Sequence, residues 1–256
     1  MPLTALTHDI SPDIALGERT WIDRDPIDLA RADQQHLGYR KALSGLGVEV
    51  VNLNINRAFP DSVFMEDPAV VVDEVAVLTR MGAPARTAEM KALGPVLGQY
   101  RTVLEMQAPA TLDGGDVLLM GRRIFVGQST RTNLEGYQAL ADMLTPYGYE
   151  VIPVEVYEGC LHLITGVTAL DGETLLLATG KFDTAPLSDY KRVEVPEEEA
   201  WAANVMAVNG TILVPGGYPR TAELVSGLGY PVQVVDNSEL EKAEGSLTCL
   251  SLIFKT

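Results

Sequence analysis

DVLLMGRRIFVG, residues 116–127, decides the fold: an acidic residue, an apolar run, a Gly-Arg-Arg turn and a second apolar run. Two short apolar runs joined by a polar or glycine turn are the signal of a β-hairpin. The same order recurs on both sides. Asp67 opens PAVVVDEVAVLTR, His162 opens LITGVTALDGETLLLATG, Asn204 opens VMAVNGTILVPGG and Cys249 opens LSLIFK. The five polar positions, Asp67, Asp116, His162, Asn204 and Cys249, stand 49, 46, 42 and 45 residues apart, close enough to constant to be a structural period.

The segments after the hairpins predict helices over residues 86–100, 132–147, 184–191 and 219–228. One hairpin and one helix per period of this length mark an α/β propeller, in which each unit buries its faces against its neighbours. The fifth copy has only its first strand, so residues 3–10 are expected to supply the second. A ring closed by the N- and C-terminal strands leaves no unpaired edge between first and last units. Residues 1–256 then form a single domain of pseudo-fivefold symmetry. Two unrelated α/β halves with accidental spacing are the alternative.

Composition narrows the function. The chain has 256 residues, 46% of them hydrophobic, and a net charge of −16 from 19 basic and 35 acidic residues. That field opposes non-specific attraction to nucleic acid or anionic lipid and suits a small cationic ligand. The run EVPEEE at residues 194–199 reads as a solvated helix start. The first ten residues lack a basic and apolar leader pattern, and no run approaches the length of a membrane span, so cytoplasmic residence is the default expectation. Two cysteines and three histidines without paired spacing argue against a disulfide framework or a dedicated metal site. Nothing in the sequence sets the oligomeric state, and a homodimer is one assembly compatible with it.

Four groups of residues carry chemistry. Cys249 and His162 occupy the same phase of the repeat, and a thiol with an imidazole from a neighbouring unit is the arrangement for nucleophilic catalysis. An unperturbed thiol of pKa ~8.5 is mostly protonated near neutrality, so something must favour the anion, and a bound cation beside it would. Each residue alone has a plainer role as core packing, and Cys160 is read that way. In LDGGD, residues 112–116, Asp113 either forms part of a glycine turn or holds the histidine in one tautomer, while Asp116 accepts hydrogen bonds within the ring. FPDSVFMEDP, residues 59–68, brings Asp61, Glu66 and Asp67 to a strand edge, either as a solvated loop or as a cradle for a guanidinium or ammonium group. Arg86 and Arg131 lie just past hairpins at matching phase and are candidates for a carboxylate clamp. A ligand with a cationic end beside Asp67 and Cys249 and a carboxylate beside the two arginines is an amino acid of the arginine type.

These motifs, with CLHL at 160–163, AANVMAVNG at 202–210, GYPRTAELVSGLGY at 217–230 and EGSLTCLSLIF at 244–254, resemble the dimethylarginine dimethylaminohydrolase family of the guanidino-group-modifying (pentein) superfamily. The resemblance implies a five-bladed ββαβ propeller. It further implies that Cys249 is the nucleophile, His162 the general acid and base, and Asp113 its orienting carboxylate. Asp67 and Glu66 would hold the guanidinium, and Arg86 and Arg131 the substrate carboxylate. Asp61 and the backbone carbonyls of Leu16 and Ala243 would contact the α-amino group, with Leu16 on a lid. Methylated arginine would be hydrolysed to citrulline and a methylamine without a cofactor or metal. Arginine deiminases share this chemistry but carry an aspartate two residues after the histidine, where this chain has Ile164. An amidinotransferase would need a longer chain, and a non-catalytic ligand-binding or protein-interaction propeller would lack one of the three chemical positions.

Overall fold

A computed structural model describes residues 2–256. The chain enters through β1 (Leu3–His8), crosses by helix α1 (Leu29–Gly45) and returns as β2 (Val48–Leu53), parallel to β1. The next unit is β3 (Ala69–Val71), β4 (Val75–Leu78), α2 (Met90–Leu97) and β5 (Thr102–Glu105). It is followed by β6 (Val117–Met120), β7 (Arg123–Gln128), α3 (Leu134–Leu144) and β8 (Glu150–Glu155). The third unit opens with a one-turn helix, α4 (Leu163–Gly166), before β9 (Val167–Ala169), β10 (Thr174–Leu177) and β11 (Lys191–Glu194). The fourth is β12 (Met206–Val208), β13 (Thr211–Pro215), α5 (Pro219–Gly227) and β14 (Val232–Val235). After the single turn α6 (Ser238–Glu241), β15 (Leu252–Lys255) pairs antiparallel with β1. The described residues thus form five three-stranded sheets, and in each the middle strand pairs antiparallel on one side and parallel on the other. The closure of the fifth sheet by both chain ends is as expected from the incomplete last repeat.

The middle strands explain the unbroken apolar runs. Along β4, Val75 and Val77 point into the cluster shared with the second unit, while Ala76 and Leu78 point into the cluster shared with the fifth. Along β7, Ile124 and Val126 face the first unit and Phe125 the third. In β13 Ile212 and Val214 face the third unit, Leu213 the fifth. Successive side chains leave a strand on opposite faces, so a strand buried on both sides is apolar at every position. The hydrophobic core is accordingly five clusters, one in each gap between neighbouring sheets.

A circuit of hydrogen bonds runs around the axis inside those clusters. Gly115 N–H donates to Asp67 Oδ1 (3.2 Å) and Leu163 N–H to Asp116 Oδ1 (2.9 Å). Asn204 Nδ2 donates to the Ile164 carbonyl (3.0 Å) and to Thr248 Oγ1 (2.9 Å), and Thr248 Oγ1 donates to Glu66 Oε2 (2.9 Å). Each bond joins one unit to the next, so the polar residue heading a unit ties it to its neighbour.

Several local expectations change. His162 does not abut its strand, because α4 intervenes before Val167. Residues 184–191 form no α-helix: Asp183 Oδ1 caps Ala185 N–H, Pro186 lies in a single 3-10 turn (Ala185–Leu187), and β11 begins at Lys191. The helix expected from residue 86 starts at Met90, since Arg86 ends a separate 3-10 turn (Pro84–Arg86). In the acidic run, Glu197 and Glu198 are exposed, but Glu199 is buried and accepts from Arg220 N–H, Thr221 N–H and Thr221 Oγ1 at the start of α5. Helix α1 carries no continuous apolar stripe, because its buried face includes Gln35 and His36.

Leu252 is buried in the cluster between β15 and the first unit, whereas Val234 is 57% exposed on the outer strand β14. Leu252→Ala should therefore lower stability by about 2–5 kcal/mol, and Val234→Ala by no more than about 0.5 kcal/mol. Chemical denaturation of the two variants beside the parent tests this, and equal losses would deny Leu252 its closing role.

Candidate active site

Cys249, His162, Asp113, Asp67, Asp61, Arg86, Arg131 and Ala243 line one cavity of about 30 Å³. These residues come from four of the five units, and three of the polar unit starts, Asp67, His162 and Cys249, are among them. Cys249 sits in a 3-10 turn (Thr248–Leu250) just before β15, and His162 directly precedes α4. The two other expected site residues are placed differently. Glu66 is half-buried beside Thr248, on the circuit rather than among the lining residues, and Leu16 is 73% exposed at the end of a 3-10 turn (Ile14–Leu16).

His162 is held from two sides. Its Nε2 lies 3.1 Å from Asp113 Oδ2, and the other oxygen of Asp113 accepts from Gly82 N–H at 2.7 Å. Gly115 packs beneath the ring so closely that a Cβ there would stand 2.7 Å from His162 Nδ1. The second glycine of LDGGD is thus required by close approach and not by a left-handed backbone, since its φ is not positive. Burial alone would depress the imidazole pKa, but Asp67, the Asp113 hydrogen bond and Asp116 together raise it to about 9.

Two buried carboxyl groups of the ring hold their protons to higher pH than usual. Burial, then the charge of Asp67, pushes Glu66 up to about 8, and burial pushes Asp116 up to about 6. The Cys249 thiol is raised well above its ordinary range by burial and then by Glu66 and Asp67. Its sulfur accepts from Ser246 N–H at 3.5 Å. In the unliganded site the thiol is therefore neutral and the imidazole charged at neutral pH.

Arg86 lies elsewhere than the carboxylate-clamp expectation put it. Its Nη1 is 2.5 Å from Asp67 Oδ2, and Nε and Nη2 form a two-pronged pair with Glu89 at 3.1 and 3.0 Å. Nη2 also donates to the carbonyls of Phe64 and Asp61. Arg86 and Asp67, expected at opposite ends of a ligand, are in direct contact. The physical reason is burial: both are about 5% exposed, and a guanidinium and a carboxylate removed from water pair with each other. Burial would raise Asp67, but Arg86 and His162 hold it below the ordinary carboxylate range. Arg131 remains at the rim, its Nη2 on Thr20 Oγ1 at 2.8 Å.

Residues 17–24 cover the cavity. Glu18 N–H donates to Asp61 Oδ2 (3.0 Å), and the buried Arg19 side chain reaches the carbonyls of Lys242, Ile14 and Glu18. Glu18 and Glu244 are cavity residues that sequence reasoning missed, because neither has a marked neighbourhood in the chain. At about 30 Å³ the space holds a water or two and no amino acid, so ligand entry requires the lining to move. Asp67, Asp113 and His162 offer ligand atoms within 4.8 Å of one another, a spacing a divalent ion could bridge, but Arg86, Gly82 and the His162–Asp113 pair already engage them.

Residues 18–176 match the family described as N,N dimethylarginine dimethylhydrolase, eukaryotic. The N(G),N(G)-dimethylarginine dimethylaminohydrolase of Pseudomonas aeruginosa is 38% identical over 89% of this chain and 90% of its own length. That of Streptomyces coelicolor is 38% identical over 97% and 95%. A cysteine-to-serine variant of the Pseudomonas protein, solved with citrulline, superposes with a TM-score of 0.93 at 34% identity, covering 98% of both chains. The N-terminal domain of ArgZ, a cyanobacterial arginine dihydrolase, shares the fold with a TM-score of 0.90 at 23% identity.

Glu66, Asp116 and His162 each keep a proton to higher pH in the folded chain than in the unfolded one. Their contribution to stability is complete below the unfolded values and is lost as pH rises through about 6 for Asp116, 8 for Glu66 and 9 for His162. Melting temperature should thus carry a downward component from pH 5 to 9, and Glu66→Gln should shrink it between pH 5 and 8. Parallel melting curves for parent and variant would show that Glu66 ionises normally.

Proposed function

This chain belongs to the dimethylarginine dimethylaminohydrolase family, and from that premise we propose that it hydrolyses Nω-methylated L-arginine to L-citrulline and a methylamine, with Cys249, His162 and Asp113 as its chemical residues. The observation that carries this is the convergence of thiol, imidazole and buried carboxylates on one cavity. The ring acts as one catalytic domain on a small cationic substrate.

The proton inventory suggests the order of events. Before substrate binds, the thiol is neutral and His162 is charged. A methylated guanidinium entering beside Asp67 and Glu66 displaces Arg86 from Asp67 Oδ2 or shares that carboxylate with it. The added positive charge lowers both the thiol and Glu66, so a proton leaves as the substrate docks. The thiolate adds to the guanidino carbon and forms a C–S bond. The bond from that carbon to the methylated nitrogen breaks, its electron pair stays with the nitrogen, and His162 donates the proton that makes the amine a neutral leaving group. Neutral His162 then takes a proton from one water, whose oxygen adds to the S-alkylthiouronium carbon. The C–S bond breaks, restoring the thiol and leaving citrulline. Asp113 keeps Nε2 oriented and stabilises the imidazolium in both steps.

Binding residues follow the same logic. Arg86, released from Asp67, and Arg131 at the rim supply the carboxylate clamp, while Asp61 and the Leu16 and Ala243 carbonyls receive the α-amino group. Ile164, where a deiminase places its second guanidinium carboxylate, is buried in the apolar cluster between the second and third units. With no second carboxylate supplied there, free arginine is disfavoured relative to its N-methylated forms.

Cys249→Ser should abolish citrulline formation from asymmetric dimethylarginine while leaving binding by calorimetry largely intact; a variant retaining a tenth of the parent rate would remove Cys249 from the chemistry. The parent's kcat/KM should rise with pH below about 9, because the Cys249 thiol and Glu66 must both lose protons while His162 keeps its own. Glu66→Gln should make that rise shallower below about pH 8, and an unchanged profile would deny Glu66 a part in it.

A further inference from the structure

We propose that Glu244 is a positioning residue that latches residues 17–24 over the active site, and this rests on the cavity beneath being the substrate site. Its two carboxylate oxygens accept hydrogen bonds from consecutive backbone amides of the covering segment, Thr20 N–H to Oε2 at 2.6 Å and Trp21 N–H to Oε1 at 2.7 Å. Glu244 is 7% exposed, and both it and the neighbouring Ala243 line the cavity with Cys249.

The latch is rooted in the ring. Glu244 N–H donates to the Glu241 carbonyl at 2.9 Å, closing the turn that follows α6, and Gly245 N–H donates to the Leu240 carbonyl at 3.0 Å. The grip is mutual, since Arg19 Nε of the covering segment donates to the Lys242 carbonyl at 3.1 Å. The backbone of Glu244 has φ 61°, the left-handed region that favours glycine. A glutamate held there is disfavoured by its own backbone and is explained by its side chain, because glycine would fit the turn and leave two lid amides without an acceptor.

The latch acts on substrate retention rather than on the reacting atoms. Holding Thr20 also fixes the partner of Arg131 Nη2, and holding the segment keeps Glu18 N–H on Asp61. Trp21 provides a built-in reporter, since it faces a second cavity of about 100 Å³ shared with Trp201 and Cys160.

Glu244→Gly separates latch from fold. It relieves the backbone conformation, so the melting temperature should stay equal or rise, while amide hydrogen exchange at Thr20 and Trp21 should accelerate at least tenfold. In a Trp201→Phe background, Trp21 emission should shift to longer wavelength. KM for asymmetric dimethylarginine should rise about tenfold with kcat changed less than threefold. Glu244→Gln, which keeps one acceptor oxygen, should fall between parent and glycine variant on each measure and serves if the glycine variant folds poorly. Unchanged exchange at both amides, or a loss confined to kcat, would overturn the latch. Exchange and emission are read without substrate, so they judge the latch separately from the proposed hydrolase activity.

Discussion

The middle strand of every unit buries both of its faces, and the rest of the molecule follows from that. Val75 and Val77 need an apolar partner on one side of β4 while Ala76 and Leu78 need one on the other. A single sheet cannot satisfy both, and a linear row of five would leave its two end units bare. Only closure gives each strand two covered faces, which is why Leu252 and Phe254 from one end of the chain pack beside Leu6 from the other. Burial of apolar area at about 25 cal/mol per Å² makes this demand strong at every gap.

A closed ring also fixes what its axis can contain. Residues heading the units are drawn inward, where water is scarce, so their polar atoms must find partners in the neighbouring unit. Most do so through the hydrogen-bond circuit, and the charged ones pair: Arg86 with Asp67 and Glu89, His162 with Asp113. Removing one member of such a buried pair costs roughly 3–5 kcal/mol, because the other is left uncompensated. The unliganded site is therefore quiet. Its cradle is filled by the chain's own guanidinium, its thiol is protonated and its imidazole charged. In the proposed mechanism an incoming cation changes the first two, and the imidazole keeps its proton until the amine leaves.

Much of this was legible in the sequence, for a physical reason. Middle strands buried on both faces must be apolar throughout, so the repeat is loud, and Asp67, Asp116, His162, Asn204 and Cys249 announce its phase. The missing second strand of the last unit pointed to residues 3–10. What the sequence hides are features made by long-range contact. The crossover near Pro186 looks helical by composition but is too short and too interrupted to be one. Helix α1 escapes because Gln35 and His36 interrupt its buried face. Arg86 could be placed near the cavity by phase, yet its choice of Asp67 and Glu89 over a free position depends on burial that no local pattern encodes. Glu244 is a lone acid in KAEGS, and only the fold brings it to Thr20 and Trp21.

The bond from Asn204 to Thr248 to Glu66 has a direction. An amide hydrogen of Asn204 points at the threonine oxygen, so the single hydroxyl hydrogen of Thr248 goes to the glutamate. That glutamate in turn influences how readily the residue next to Thr248 gives up its proton. A joint between the fourth and fifth units is thereby wired to the acidity of the thiol one position along the chain. A change that loosened Asn204 would therefore touch the joint and the sulfur's surroundings together.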